Sequence, residues 1–501
     1  MGGTLVCLTV ELNGLVVVKR SGSLPRSTPE EQGVRSSAIV SLLDDLEQIT
    51  GDMHSIMVLR HGQVIAEGAW QPYRLQHRQL LFSLSKSFTS TAVGFAIHEG
   101  LFGLDDSVLT LLPEDAPEQI SDNLAAMTVR HLLTMTAGHA SDALGSLGRS
   151  GVTNWAQAVM SEPVVNEPGS LFMYNSGASY LLSAIVTRAT GLGLLDYLRP
   201  RLFDPLGIDD PSWEKSPQGI EAGGWGLSVT TEQLAKFGQL YLDGGRWNDA
   251  QVIPLEWVDA ATSLQVPTDA WNGTVDWRQG YGFQFWRCQN GAFRGDGAHG
   301  QFCVVIPEHN TVVVITSAVP DMQAVLDAIW AQLLPALSTS GPLPAAPADE
   351  LSELQSRLSA LAVRLPAYAG TSQNAARYID RDYRFAENDG GLVSARLEQR
   401  EDATAITITD ADGEHRIIAR SDAWLPQPDG VVDNSPSANA AAAGWVDDST
   451  FAATVLFYET PFAHTLEFAF DDQIDGIVEF SITQNVSLGK TNLVQLTGRA
   501  V

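Results

Sequence analysis

The hydrophobic pattern of the first half of the chain switches between strand-like and helix-like stretches. Residues 55–68 form two apolar runs around a turn at His61-Gly62, which predicts a β-hairpin. From Ser83 to Glu99 apolar residues cover most helix faces, and Gly100 follows as a plausible stop, so we expect a helix buried on nearly all sides. Further amphipathic stretches predict helices at 129–135 and 180–190.

The second half of the chain predicts a change of architecture. Apolar runs at 301–306 and 311–316 flank a turn and predict paired buried strands. A segment rich in Pro, Ala and Ser at 338–347 predicts a linker, after which one leucine-striped helix precedes strand-like alternation to the end. We therefore expect a mixed α/β unit and then a small, mostly β domain, with few contacts between them. The predicted boundaries are 1–24 for an N-terminal extension, 25–337 for the α/β unit, 338–350 for the linker and 351–501 for the accessory domain.

Composition and charge exclude several classes of protein. The chain has 44% hydrophobic and 18% charged residues, which suits a folded protein with a sizeable core. Its 59 acidic and 30 basic residues give a formal charge of -29, and a field of that sign repels phosphate backbones. Nucleic acid is therefore not an expected partner.

Nothing in the sequence predicts a metal, a cofactor or a membrane. Cys7, Cys288 and Cys303 lack the number for a disulfide framework and the spacing of a metal site. The stretch 295–300 fits G-x-G-x-x-G but precedes a strand rather than a helix, so we expect no dinucleotide site. Because no signal peptide and no run of about 18 apolar residues is recognisable, we expect a cytoplasmic protein without a membrane partner.

The strongest candidate for chemistry is a Ser-x-x-Lys motif. Serine and lysine three residues apart lie on one helix face, where a lysine of lowered proton affinity can accept the serine proton. Only the pair Ser83 and Lys86 opens a long apolar helix, whose N-terminus adds positive potential near a developing oxyanion. We therefore predict Ser83 as nucleophile and Lys86 as its partner. Three of the five lysines occur in such motifs, the other two being Lys215 after Ser212 and Lys490 after Ser487.

Motifs around Ser83-Leu-Ser-Lys86 resemble those of the β-lactamase-related serine hydrolases, which include class C β-lactamases, D-peptidases, esterases and 6-aminohexanoate-dimer hydrolases. The resemblance covers roughly residues 25–335. It implies an antiparallel sheet flanked by helices, with a helical subdomain. The other matching stretches follow in the expected order at 101–106, 127–134, 168–176, 204–208 and 297–302.

The resemblance also assigns roles to two further motifs. Tyr174-Asn175-Ser176 fits the Tyr-x-Ser form, so Tyr174 is expected in proton transfer, Ser176 in a supporting hydrogen bond and Asn175 at the substrate. Ala298-His299-Gly300 stands in place of a Lys-Thr-Gly motif, with Gln301 offering an oxyanion amide. Gly300 and His299 are expected near the substrate, although His299 is equally consistent with a plain strand residue. The missing lysine weakens the case for β-lactams and acyl-D-Ala-D-Ala, whose carboxylate it would face.

These residues predict a hydrolase that acts through an acyl-enzyme on small carboxylic esters or linear amides, without a cofactor. The enzymatic alternative is a β-lactamase or D-Ala-D-Ala carboxypeptidase. A non-catalytic binding or regulatory protein with the same fold is an alternative of another class. The sequence leaves open whether Lys86 or Tyr174 is the acylation base, and whether the chain forms a homo-oligomer.

Overall fold

A computed structural model describes residues 22–338, 341–369, 371–427 and 438–501. Most of the predicted N-terminal extension, including Cys7, and two residues of the predicted linker lie outside these ranges. The predicted domain boundaries stay predictions.

The first unit is built on a six-stranded antiparallel sheet. The predicted hairpin around His61-Gly62 is confirmed as β1 and β2, and the predicted strands at 301–306 and 311–316 are confirmed as β5 and β6. The spatial order is β2-β1-β6-β5-β4-β3, so β1 pairs with a strand from the far end of the unit. The strands are β1 Asp52–Arg60, β2 Gln63–Ala69, β3 Trp286–Arg287, β4 Phe293–Gly297, β5 Gln301–Ile306 and β6 Thr311–Ala318.

Both faces of this sheet are buried, which explains its nearly continuous apolar strands. Along β1, Met57 and Leu59 point into one hydrophobic cluster, while Ile56 and Val58 point into another on the opposite face. Short strands form two small accessory sheets, one of three strands and one of two. They are Gln79–Leu80, Leu227–Val229 and Ser212–Trp213 in the first, and Arg246–Trp247 with Ala250–Gln251 in the second.

Helices cover the sheet and form a separate helical layer beside it. We label five of them: α1 Ser36–Leu46, α2 Ser85–His98, α3 Ser176–Thr190, α4 Thr231–Leu242 and α5 Ala348–Ser359. The predicted helix after Ser83 is α2, and its residues from Ser85 to Ala96 are all buried, as expected. The other α-helices are Val108–Leu111, Asp122–Ala125, Val129–Leu133, Leu144–Leu147, Trp155–Ser161, Leu194–Leu198, Asp204–Leu206, Leu255–Thr262, Met322–Ala328, Leu334–Ala336 and Ala375–Tyr378.

The second unit is one ten-stranded antiparallel sheet, in the order β10-β9-β8-β7-β16-β15-β14-β13-β12-β11. The sheet curves until its two edge strands, β10 and β11, meet. At this junction the Gln427 side chain of β11 accepts from the Ile418 N–H of β10 at 2.9 Å and donates to the Ile418 carbonyl at 2.6 Å. Its strands are β7 Asp382–Phe385, β8 Ser394–Gln399, β9 Thr404–Thr409, β10 Glu414–Ala419, β11 Leu425–Gln427, β12 Asn439–Trp445, β13 Thr450–Phe457, β14 Ala463–Phe470, β15 Ile477–Gln484 and β16 Asn492–Ala500.

The two units are joined by more contacts than expected. Glu459 of the second unit accepts the Leu80 N–H at 2.8 Å and forms an ion pair with Arg78 at 3.2 Å. Tyr458 stacks on the ring of His77 at a centroid distance of 4.5 Å. Helix α5 packs against α1, where Arg357 donates to Asp44 and Glu47. The expectation of few contacts between the units is therefore wrong.

Within the described residues, no single helix is both long and apolar enough to cross a membrane. One pair, Ser176–Thr190 and Leu194–Leu206, bent by 69°, passes by length and composition alone.

Candidate active site

Ser83 lies where the chain turns from a short 3-10 segment into α2. The 3-10 helix Phe82–Leu84 leads directly into α2, and Phe82 adopts a positive φ of 46°, which non-glycine residues rarely take. The N–H of Ser83 falls in the first turn, where N–H groups lack an intrahelical partner. One turn later, Nζ of Lys86 donates to Oγ of Ser83 at 3.1 Å. The structure thus brings the predicted pair into contact.

Lys86 is almost completely buried, with 1% of its surface exposed. Its ammonium group also donates to the carbonyl oxygen of Gly224 at 2.7 Å and to Oγ of Ser176 at 3.3 Å. Burial lowers the pKa of Lys86 to about 8, although the carboxylates of Asp142 and Asp296 act in the opposite direction. A lysine in this environment can lose its proton near neutral pH.

The Gly224 carbonyl can reach Lys86 because this loop runs close to α3. A Cβ at Gly224 would lie 2.9 Å from the carbonyl oxygen of Ser176, so a larger side chain would push the loop away. The sequence analysis missed Gly224, since a backbone carbonyl that is distant in the chain leaves no motif.

Tyr174 completes the cluster beside Ser83 and Lys86. The centre of its ring lies 4.8 Å from Nζ of Lys86, and the ring stacks on Trp286 at 5.6 Å. Burial, followed by the carboxylate of Asp296, raises the pKa of Tyr174, while a hydrogen bond to Ser83 lowers it in part. The phenol therefore stays protonated at neutral pH.

Ser176 is held by a carboxylate that the sequence analysis did not identify. Asp142 accepts the Ser176 N–H at 2.8 Å and the Ser176 hydroxyl at 3.0 Å. Asp142 lies on a loop without periodicity or motif, so no local signal separates it from the other acidic residues. Its charge faces the N-terminus of α3, where an anion is favoured.

Asn175 does not occupy the substrate position predicted for it. Its side chain is buried, caps α3 by accepting the Ala178 N–H at 3.3 Å, and accepts the Ala143 N–H at 3.1 Å. Its amide nitrogen contacts Nδ1 of His139 at 3.1 Å. Asn175 therefore holds the loop and the helix that carry Asp142 and Ser176.

The predicted third motif forms the hairpin between β4 and β5. Gly297 and Ala298 line the cavity beside Ser83, and no turn or loop hydrogen bond in the described residues uses the Ala298 N–H. The Gln301 side chain is 1% exposed and donates to the carbonyls of Ala298 and Ser317, away from the cavity. Among the described residues that line the cavity, Ala298 is present and Gln301 is not, so the Ala298 N–H is a second candidate for the oxyanion amide beside the predicted Gln301 N–H, which stays a prediction.

Two residues predicted near the substrate lie behind the cavity wall. Gly300 has a φ of 90°, and a Cβ there would lie 2.1 Å from Oγ of Ser317, so glycine is required by the turn. His299 is buried between the rings of Phe82 and Phe462, at 5.5 and 6.2 Å. Burial also lowers the pKa of His299, which leaves the ring neutral.

A cavity of about 740 Å³ opens above Ser83 and is mostly apolar. Leu488, from the loop between β15 and β16, contributes to its wall from the second unit. Two carboxylates, Asp142 and Asp296, also line it, and no arginine, lysine or histidine does so among the described residues. The sequence analysis did not identify the five tryptophans of the wall, which are Trp155, Trp225, Trp271, Trp277 and Trp286.

Asp296 forms an ion pair with a buried arginine that the sequence analysis also missed. Nε of Arg294 lies 2.8 Å from the carboxylate of Asp296, and both side chains are buried. The guanidinium stacks on Trp277 at 4.3 Å and donates to the carbonyl oxygen of Asp276 at 3.0 Å. In the part of the chain that the structure describes, no three His, Cys, Asp or Glu side chains come together as a metal site.

Comparison with known proteins identifies the family of the chain. Residues 44–336 match the family model described as Beta-lactamase, more than half of the chain, and the chain belongs to the beta-lactamase family. A 6-aminohexanoate-dimer hydrolase from Paenarthrobacter ureafaciens is 29% identical over 315 residues, which cover 59% of this chain and 80% of that protein.

Two further comparisons extend this picture. The lovastatin esterase of Penicillium rubens is 26% identical over 170 residues, covering 30% of this chain and 42% of that enzyme. The solved structure of SurE superposes with a TM-score of 0.50 at 17% identity, covering 93% of this chain and 98% of that one. The likeness to SurE concerns the fold alone, and it extends over both units.

Proposed function

We propose that this protein is a serine hydrolase that cleaves carboxylic esters or linear amides through an acyl-enzyme on Ser83. The observation that carries the proposal is the contact of 3.1 Å between Oγ of Ser83 and the buried amine of Lys86. Burial lowers the pKa of this amine to about 8, so a useful fraction is neutral near pH 7–8. A serine beside such a base is an activated nucleophile.

The path of the proton follows from the pKa shifts of Lys86 and Tyr174, which have opposite directions. Neutral Lys86 accepts the Ser83 proton as Oγ bonds to the substrate carbonyl carbon, and the N–H groups of Ser83 and Ala298 hold the oxyanion. Tyr174, which stays protonated until this point, donates its proton to the leaving group as the carbonyl re-forms and the bond to the leaving group breaks. Lys86 then passes the proton that it took from Ser83 to Tyr174. Water then cleaves the acyl-enzyme by the reverse use of the same groups. These shifts support Lys86 over Tyr174 as acylation base.

The charges of the residues that line the cavity favour uncharged substrates over β-lactams and D-Ala-D-Ala peptides. Those substrates carry a carboxylate, whereas the described wall carries Asp142 and Asp296 and no cationic side chain. Arg294 is buried behind Asp296 and already paired with it. Two relatives are named as a 6-aminohexanoate-dimer hydrolase and a lovastatin esterase, which supports linear amides and esters as the bond types to be tested.

The proposal is tested by a fluorophosphonate probe and a nitrophenyl butanoate assay on the full chain. We expect one labelled serine, and loss of both labelling and turnover in Ser83→Ala. Ser212→Ala is the matched control, because Lys215 in that motif is exposed and pairs with Glu221 at 3.4 Å. Labelling that persists in Ser83→Ala, or a wild-type chain that neither reacts nor turns over esters and amides, contradicts the proposal and favours a binding protein.

The enzymatic alternative is tested with the same protein and a chromogenic cephalosporin. We expect kcat/KM for the ester to exceed that for the cephalosporin by about 100-fold or more, the scale of discrimination that charge and unpaired polar groups produce in a site. Efficient cephalosporin turnover with negligible esterase activity establishes the β-lactamase alternative instead.

A further inference from the structure

Leu488 is an apolar side chain in an unusual position. It lies on the loop that joins β15 to β16 and is 75% exposed, the kind of exposure that costs free energy unless a partner covers it. The same side chain lines the cavity above Ser83, although the two residues belong to different units. Its exposed surface therefore faces the space that a substrate must enter.

The position of the second unit relative to Ser83 is fixed by direct contacts. Phe462, the residue before β14, packs edge-on against Phe82, the residue before Ser83, at a centroid distance of 6.0 Å. The backbone of Leu80 donates to Glu459, and the Gln79 side chain donates to the carbonyl oxygen of Tyr458. The second unit is thus attached to the segment that carries the nucleophile.

The residues that line the cavity together with Leu488 indicate which kind of substrate group Leu488 contacts. The surface around it consists mainly of tryptophan rings and leucines, among them Leu144, Leu147 and Trp155. Such a surface gains free energy by covering aliphatic or aromatic groups, and it offers few hydrogen bonds to a polar chain. A group of several carbons, attached to the reacting carbonyl or to the leaving group, fits this space of about 740 Å³.

We infer that Leu488 is a specificity-determining residue that contacts an apolar, uncharged group of the substrate, so that the accessory domain completes the substrate cavity. This inference rests on the proposed function, because it takes the substrate to be an ester or amide attacked by Ser83.

The first experiment compares nitrophenyl octanoate with nitrophenyl butanoate. Leu488→Ala should lower the ratio of kcat/KM for octanoate to that for butanoate by about 5- to 20-fold, since one lost apolar contact is worth about this much at a partly open site. Leu488→Trp, which narrows the mouth, should change the same ratio by at least about 5-fold in either direction. Leu493→Ala is the matched control, because Leu493 is 47% exposed on β16 and does not line the cavity.

The second experiment does not depend on turnover. In the Ser83→Ala background, binding of methyl octanoate is followed by the fluorescence of the cavity tryptophans, and Leu488→Ala should weaken it by about 5-fold while Leu493→Ala should not. A protein that turns over neither esters nor linear amides refutes the proposed function and leaves the role of Leu488 to be judged by this binding alone. Ratios and affinities within twofold of wild type in both Leu488 variants, or no binding of methyl octanoate, overturn the inference.

Discussion

The amine nitrogen of Lys86 lies 4.8 Å from the centre of the Tyr174 ring, and both side chains are directed at the same serine. Burial pushes the pKa of the amine down and that of the phenol up. Near neutral pH the phenol is therefore protonated and a fraction of the amine is neutral, so that one group can donate a proton and the other can accept one.

Groups that transfer one proton together should show non-additive mutational effects. We expect Lys86→Ala and Tyr174→Phe each to lower kcat by about 10³-fold, and the double variant to be little worse than either. The measurement is steady-state ester hydrolysis with thermal unfolding recorded in parallel. Lys236→Ala is the control, because Lys236 is also buried and donates to a carbonyl, that of Leu206 at 3.0 Å, but does not line the cavity. Near-normal turnover in Tyr174→Phe would make that tyrosine structural.

The pH dependence of kcat/KM should report the lysine. Because the base must be neutral, activity should fall about tenfold per pH unit below an apparent pKa near 8 and level off above it. Asp142 raises the pKa of Lys86 by its negative charge, so Asp142→Asn should move this limb to lower pH as well as reduce the rate. Asp105→Asn, which removes an exposed carboxylate paired with Arg130, should leave the limb in place. An unmoved limb in Asp142→Asn would exclude Lys86 as the titrating group.

Strand β4 approaches the segment that carries Ser83 so closely that no side chain should be tolerated at Gly297. A Cβ at Gly297 would lie 2.0 Å from the carbonyl oxygen of Leu81, so Gly297→Ala must displace either the hairpin or the segment that carries Ser83. We expect a loss of about 10²-fold or more in kcat/KM, the scale of losing one oxyanion donor. Gly145→Ala is the matched control, since no atom lies within 4 Å of its Cβ position. Equal activity of the two variants would show that the geometry at Gly297 is not required.

Removing the second unit should damage the first. In a chain that ends at Leu337, the hydrophobic cluster that contains Trp70 and Tyr73 loses its members from the second unit, among them Leu456 and Tyr458. We expect the unfolding temperature to fall by about 5–10 °C and turnover of octanoate esters to fall more than that of butanoate esters. Calorimetry and the two ester assays provide the measurement. A truncated chain with the stability and preference of the full chain would restore the picture of two independent units.

The extent to which the site could be predicted depends on how far each residue is from its partner along the chain. Ser83 and Lys86 lie within one helical turn, so their spacing, together with the long apolar helix that follows, predicted the contact. Asp142 and Gly224 reach the cluster only through the packing of loops on α3, which no local pattern encodes. Local patterns do not reveal the register of a tight hairpin either, so the sequence analysis named Gln301 and passed over Ala298, which lines the cavity.

The fold, too, could be predicted only where it depends on residues that are near one another in the chain. The hairpin of β1 and β2 and the strands β5 and β6 follow from local alternation, whereas the approach of the accessory domain to Leu80 does not. A segment rich in proline and alanine predicts an extended connection, but it carries no information on what the two ends then touch.

The pairing of β1 with β6 limits how early the protein can fold during its synthesis. Asp52 pairs with Ala318, so the centre of the sheet cannot close until nearly two thirds of the chain has left the ribosome. Until then β1 exposes an unpaired apolar edge, and the long loop between the partners must be closed at an entropic cost. Folding should therefore be slow relative to synthesis, and the nascent chain should depend on chaperones over the interval in which residues 70–310 emerge.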